Sequence, residues 1–205
     1  MYNTLPNLIL GFHGCDKEIF DDVICKNKSL KYSKNKYDWL GHGIYFWENN
    51  FERAYEFACQ KKKWSPKKIK EPAVICATIH LGRCLNLASS NGLNLLKTHY
   101  RIFESECKVL GITMPKNRKP TNSNGKDYLF RELDCAVIES FHCEVEKNKL
   151  PAYDSVRGLF IEGEPIYKGA GIYEKTHIQL CIRNVNCIKT YATSRETDTD
   201  YPIPQ

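Results

Sequence analysis

The sequence predicts an α+β fold in a single domain spanning residues 1–205. Three observations carry that expectation. Strand-like and helix-period segments do not alternate as βαβ units; they read strand, helix, loop, strand, helix, strands, two helices and then three strands. A chain of 205 residues can build one substantial core, whereas a division in two would leave both parts small. Hydrophobic residues make up 42% of the chain and charged residues 26%, an ordinary globular balance.

The elements follow in order. Residues 7–12 (NLILGF) form an apolar strand that ends at a polar turn, His13-Gly14. Ile19, Phe20, Val23 and Ile24 recur at helical spacing, giving a helix over 16–26. Residues 27–42 are polar and broken, a loop that folds over something. Residues 43–47 (GIYFW) read as a short aromatic strand. Asn50 can cap the next helix, which lines up Phe51, Ala54, Phe57 and Ala58, and a lysine-rich loop follows. Val74 to Leu81 is a strong strand, Gly82 a turn, and Cys84 to Leu87 a second, short strand. A long helix starts at Ser90. Residues 112–126 form an exposed loop rich in Pro, Asn and Lys, and a second long helix runs from about Asp127 to Glu146. Strands are expected over 155–161, 177–183 and 187–193, with a glycine-rich turn (EGEPIYKGAGIYE) after the first and a frayed tail over 194–205.

Bulk chemistry excludes several classes. No apolar run approaches the roughly 18 residues that cross a membrane. The start, MYNTLPNLIL, lacks a basic region and a small-residue cleavage site, which places the chain in the cytoplasm. Four of the ten cysteines (Cys59, Cys76, Cys135, Cys181) sit in apolar segments, where reduced cysteine behaves as a small hydrophobe. No CxxC pair occurs, and His13 with His42 lacks an evident third ligand, so no metal is expected. The net charge is +6. Its densest cluster, Lys61, Lys62, Lys63, Lys67, Lys68 and Lys70 around Trp64, is a solvated loop or a nucleic-acid contact.

Chemistry concentrates in GFHGC (11–15), YDWLGHGIYFW (37–47) and HIQLCIR (177–183). His13 follows an apolar strand. Gly14 behind it leaves a backbone N–H and C=O open to a ligand, and a planar amide can pair with both. Tyr45 offers a flat face and a hydroxyl at a strand position, suited to a flat polar ring. Arg157, before Gly158, can meet a phosphate or a carboxylate.

The series HG, about thirty residues, then G-x-G-I-Y-F and a helix with A-Y near its start resembles the diphtheria-toxin and poly-ADP-ribose-polymerase branch of the ADP-ribosyltransferases. The resemblance is clear over residues 7–60 and weaker through 73–87 and the C-terminal strands. It implies a split β-sheet core with flanking helices, NAD as co-substrate, and a His–Tyr–third-residue signature. On this chain it places His13 on the adenosine-side ribose, the Gly14 backbone on the nicotinamide amide, Tyr45 on the nicotinamide ring, and Arg157 at an NAD phosphate. Eleven residues after Tyr45 the family commonly has a second tyrosine; here that position is Glu56, with Tyr55 beside it as the stand-in. Arg53 stands where the family often has a small hydroxyl residue.

The family's catalytic glutamate has no counterpart in THIQLCIR. Gln179 is the first candidate for the third position and Thr176 the competing one. His177 shares the face of Gln179 by strand alternation, and Glu162, Glu164 or Glu174 of the preceding turn can supply a carboxylate. A glutamine orients a ribose hydroxyl without adding charge, which points to transfer of a single ADP-ribose rather than chain growth. The implied function is an NAD-dependent mono-ADP-ribosyltransferase acting on a macromolecule, of the kind used as toxins, defence factors or effectors, with an antitoxin partner possible. Lys116, Arg118 and Lys119, with the lysines at 61–70, tilt the expected acceptor toward nucleic acid over protein. The alternatives are an NAD glycohydrolase and an inactive domain that binds NAD or ADP-ribose.

Overall fold

The computed structural model describes residues 8–119 and 128–193. Nine strands and four α-helices run in the order β1 (Ile9–Asp16), α1 (Lys17–Ile24), β2 (Ile44–Glu48), α2 (Phe51–Trp64), β3 (Pro72–Ile79), β4 (Cys84–Asn86), α3 (Ser90–Leu110), β5 (Asn117–Arg118), β6 (Phe130–Arg131), α4 (Glu132–Lys147), β7 (Ser155–Phe160), β8 (His177–Ile182) and β9 (Ile188–Ala192). Seven strands form one mixed sheet in the order β4-β7-β8-β2-β1-β3-β9, with only β4–β7 parallel; β5 and β6 make a separate small ribbon. The class is α+β. No helix among the described residues is long and apolar enough to cross a membrane.

Strand alternation sorts the core into two sides. On one side Cys15, Ile44, Phe46, Ile75, Ile79, Leu180 and Ile182 pack with Val23 of α1 and Leu30. On the other, Trp47 and Val74 meet Ala54 of α2, and Val156, Phe160 and Cys181 meet Ile138 and Phe141 of α4. Helix ends are set locally. Asn50 caps α2 by accepting from the Arg53 N–H, Ser89 caps α3 by accepting from Gly92, and Gly111 closes α3 in the left-handed region at φ 65°.

Three boundaries differ from the sequence expectation. The first strand does not stop before His13. It continues to Asp16 because β3 pairs with it all the way, from Ile9↔Ile79 to Asp16↔Pro72, so His13 and Gly14 lie within a strand. Helix α2 extends through Trp64, which puts Lys61, Lys62 and Lys63 in its last turn rather than in a loop; cations there complement the helix C-terminus. Helix α4 begins at Glu132, not near Asp127, because Phe130–Arg131 are drawn into the ribbon with Asn117–Arg118. The rest of the expected loop, 120–126, and the tail 194–205 lie outside the described residues.

Asp16 fastens the β1–α1 corner to the chain entering β3. Its carboxylate caps α1 by accepting from the Glu18 N–H at 2.9 Å and also takes the N–H groups of Lys70 and Glu71. These bonds hold its carboxyl below the usual range. Asp16→Ala is expected to lower stability by about 2 kcal/mol in urea unfolding. The carboxylate stabilises the fold above its unfolded pKa, and that contribution fades as pH falls through the folded value, so the two proteins should converge in acid. An unchanged urea midpoint at pH 7 would contradict this role.

Candidate functional site

The site begins with an interruption in hydrogen bonding. In an antiparallel ladder, alternate residues of a strand turn both N–H and C=O to the same neighbour. Leu10 accepts from the Asn49 N–H, and Lys17 donates to Glu71, so even-numbered β1 residues face β2 and odd-numbered ones face β3. The β1–β2 register contains Gly11↔Glu48 and Phe12↔Trp47 and then stops. The next pair in that register would be Gly14 with Tyr45. It does not form. The sheet is continuous but pinched there to two residue pairs, and by the alternation the N–H and C=O of Gly14 point toward β2 rather than β3, with Gly14 buried against α2.

His13 occupies the break. Its Nδ1 lies 2.7 Å from the carbonyl oxygen of Tyr45. A carbonyl only accepts, so Nδ1 carries the proton and Nε2 is an acceptor in the neutral ring. Burial lowers the His13 pKa and holds the ring neutral, against the Tyr45 bond that favours the charged form. The Phe46 ring packs edge-on at 5.8 Å. The Tyr45 side chain lies across the sheet from that packing. Its hydroxyl donates to Gly41 O at 2.6 Å and accepts from Leu40 N at 2.8 Å, so it latches the 38–43 loop onto β2. Gly14 is required sterically, because a Cβ there would run into the Ala54 carbonyl of α2.

A second group gathers where β8 begins, on the Tyr45 side of the sheet. The His177 ring is enclosed by Phe160 at 5.7 Å and by Trp39 and Trp47 at 6.4 Å each. Its Nδ1–H donates to Lys175 O at 2.7 Å, so Nε2 is again an acceptor. Burial pushes its pKa down to about 4, and the nearby Glu162 carboxylate, 3.7 Å away, therefore does not face a charged imidazole at neutral pH. Arg53 reaches from α2 to Glu162 at 3.2 Å and to Glu56 at 3.1 Å. Within this group Trp47 Nε1, Arg53 Nε and His177 Nε2 are buried without a hydrogen-bond partner among the described residues. Two donors and one acceptor in that state each cost about 1–3 kcal/mol unless something polar meets them.

The remaining expected residues are distributed as follows. Gln179 lies mid-strand, half-buried, in register with Trp47 on one side and Gly158 on the other, and on the face of His177. Thr176 is exposed just before β8. Of the three loop glutamates only Glu162 is buried; Glu164 and Glu174 are exposed. Tyr55 is not brought to the group: it is 46% exposed and stacks on Phe51, whereas Glu56 faces the β8 approach and pairs with Lys175 at 3.0 Å. Arg157 is taken up by a forked pair with Glu48, at 2.6 and 2.8 Å, on the opposite side of the sheet from Gln179. Sequence reasoning missed Trp39, Trp47 and Phe160 as an enclosure. It also missed the Glu139–Arg183 pair, at 2.5 Å, with Glu139 accepting from His42 N below the Gly41 turn. Only the aromatic density of 37–47 hinted at the first, and nothing local at the second.

A cavity of about 350 Å³ lies elsewhere, between α3, α4 and β7, lined by Leu93, Leu96, Val137 and Ile138. Trp39 and Phe160 form part of its wall, so it backs onto the His177 enclosure without containing His13, Tyr45 or Gln179. Among the described residues no cluster of His, Cys, Asp or Glu is arranged to hold a metal.

An uncharacterized protein of Methanocaldococcus jannaschii is 25% identical over 200 residues, covering 87% of this chain and 83% of that protein. No family model matches the chain, and no solved structure does.

A buried neutral histidine has a sign that can be measured. Between about 6.5 and about 4 the unfolded chain binds a proton at His177 that the folded chain refuses, so stability falls as pH drops through that window. His177→Phe, an aromatic that suits the enclosure, should make unfolding free energy less dependent on pH between 6.5 and 4. Parallel curves for the two proteins would contradict a neutral, enclosed His177.

Proposed function

We propose that this chain is an NAD-dependent mono-ADP-ribosyltransferase: it cleaves the bond between nicotinamide and ribose and passes ADP-ribose to a macromolecular acceptor. The observation that carries the reading is the ladder break at Gly14 and Tyr45. A primary carboxamide needs one acceptor and one donor side by side, and the C=O and N–H of Gly14, which lies beyond the last β1–β2 pair, are the groups we assign to it. On one face of the sheet beside it stands a neutral His13 with Nε2 as acceptor for a ribose hydroxyl, and on the other face Tyr45 is fixed through its hydroxyl. The likeness of residues 7–60 to the ADP-ribosyltransferases supports the same assignment.

The chemistry asks little of acid–base catalysis. The C1′–N bond breaks, its electron pair stays on the nicotinamide nitrogen, and the ribose carries oxocarbenium character until an acceptor nucleophile closes on C1′. Gln179, two residues from His177 and in register with Trp47, is the group assigned to hold a ribose hydroxyl. It orients without adding charge. Glu162 is the carboxylate nearest the β8 start and the candidate source of a stabilising field, moderated by Arg53. Water as the acceptor would make the same site a glycohydrolase.

The test is incubation with NAD labelled in the adenine moiety, with and without cell lysate, following nicotinamide release and label transfer together. Wild type is expected to release nicotinamide and label a lysate component. Gln179→Ala and His13→Ala, checked for folding by melting, are expected to slow release about a hundredfold. Thr176→Ala should be near wild type. Release without transfer assigns hydrolysis instead; no release by a protein that still binds NAD assigns a binding domain.

A further inference from the structure

We infer that the β5–β6 ribbon and the Tyr37 loop form a docking surface for single-stranded nucleic acid. The identity of the strand as acceptor rests on the function proposed above; the surface itself does not.

The observation is two groups of aromatic rings interleaved with cations, carried by the two faces of the ribbon. One group covers the enclosure from outside, where the Arg131 guanidinium lies 4.2 Å from the Trp39 ring and 4.8 Å from that of Phe160, two of the rings around His177. The other group is the exposed surface: Phe130 is flanked by Arg118 at 5.5 Å and meets Tyr37 edge-on at 5.5 Å. Lys119 then lies 5.7 Å from Tyr128. Tyr37 and Tyr128 are 41% and 48% exposed, unusual for rings with no core to join. Trp39 is held in place by its indole N–H donating to Leu129 O at 3.1 Å, which ties the ribbon to the enclosure.

Charge argues in the same direction. Glu132 and Asp134 neutralise part of Arg118 and Arg131, while the exposed Lys36, Lys116 and Lys119 have no ion pair among the described residues. Exposed ring faces stack on unpaired bases whatever the sequence, and the lysines follow the phosphates. A duplex keeps its bases stacked inside and cannot use the rings. An acidic protein surface would use the cations and leave the rings unexplained. The other basic region is less suited: Lys61 is half-buried with its ammonium over the Phe57 ring, and its cluster exposes one aromatic, Trp64.

The experiment measures binding of a fluorescent single-stranded 12-mer, as RNA and as DNA, by anisotropy in the absence of NAD. Wild type should bind at least one of the two, with affinity falling as salt rises. Tyr37→Ala and Tyr128→Ala, both exposed, should each weaken binding about tenfold without lowering the melting temperature. Lys67→Glu with Lys68→Glu should leave it within about twofold, and duplex of the same sequence should bind at least tenfold less tightly. The surface is overturned if the strand does not bind at low salt, if the tyrosine variants bind like wild type, or if duplex binds as well. His13→Ala separates the two ideas: it should bind the strand normally while failing to release nicotinamide. Strand binding by a wild type that never consumes NAD would sink the transferase and keep the surface; NAD consumption with no strand binding would do the reverse.

Discussion

The function proposed for this protein depends on one missing pair in the β1–β2 ladder. Strands β1 and β2 run antiparallel in a register that would next join Gly14 to Tyr45, and they part instead. A β-sheet does not leave such groups unmet without compensation. Here the Tyr45 carbonyl is met by the His13 ring, a bond of side chain to backbone that holds the strands apart at a fixed spacing. The Tyr45 carbonyl thereby gains a partner, while the Tyr45 N–H and the N–H and C=O of Gly14 lie beyond the last pair of the register. The sheet thus keeps its continuity and still offers a donor and an acceptor from the backbone, on elements rigidified by β3 along one side and β8 along the other.

The surroundings hold that opening in shape. Helix α2 packs so closely on Gly14 that no side chain fits there, and the same helix projects Arg53 and Glu56 toward the approach to β8. The Tyr45 hydroxyl fixes the turn at Leu40–Gly41, and Glu139 with Arg183 fixes the next residue, His42. Trp39 lies in the latched loop, so the latch also positions one wall of the His177 enclosure. Backbone break, loop and enclosure are mechanically one assembly, built from β1, β2, β8, α2 and α4.

Much of the fold was legible because the apolar periods are strong: ICATI alternates in burial, LCI is buried throughout as a strand covered on both faces is, and the helices carry their caps in sequence. His13 and Gly14 adjoin Tyr45 through the bond from the His13 ring to the Tyr45 carbonyl, which no local pattern specifies. The errors were nonlocal. A polar His-Gly pair reads as a turn, and only the pairing of Val74 and Ile75 opposite it makes it strand. Tyr55 was the nearest tyrosine to the expected position, but one residue on a helix rotates a side chain by about 100°, which turned Tyr55 outward and Glu56 inward. Arg157 has its partner 109 residues away, at Glu48, and no pattern in the chain announces that pair. The enclosure of His177 draws its rings from three separate segments for the same reason.

The central claim is that Gly14 presents an unpaired backbone amide to a carboxamide ligand. Two-dimensional amide NMR of the labelled protein addresses it directly, through hydrogen exchange and nicotinamide titration read at one residue. The account predicts that Gly14 exchanges faster than Phe12 in the free protein, because Phe12 is paired and Gly14 is not, and that its resonance moves and its exchange slows as nicotinamide or NAD is added. A Gly14 amide protected like its neighbours in the free protein, or unmoved at ligand concentrations that shift other residues, would contradict it.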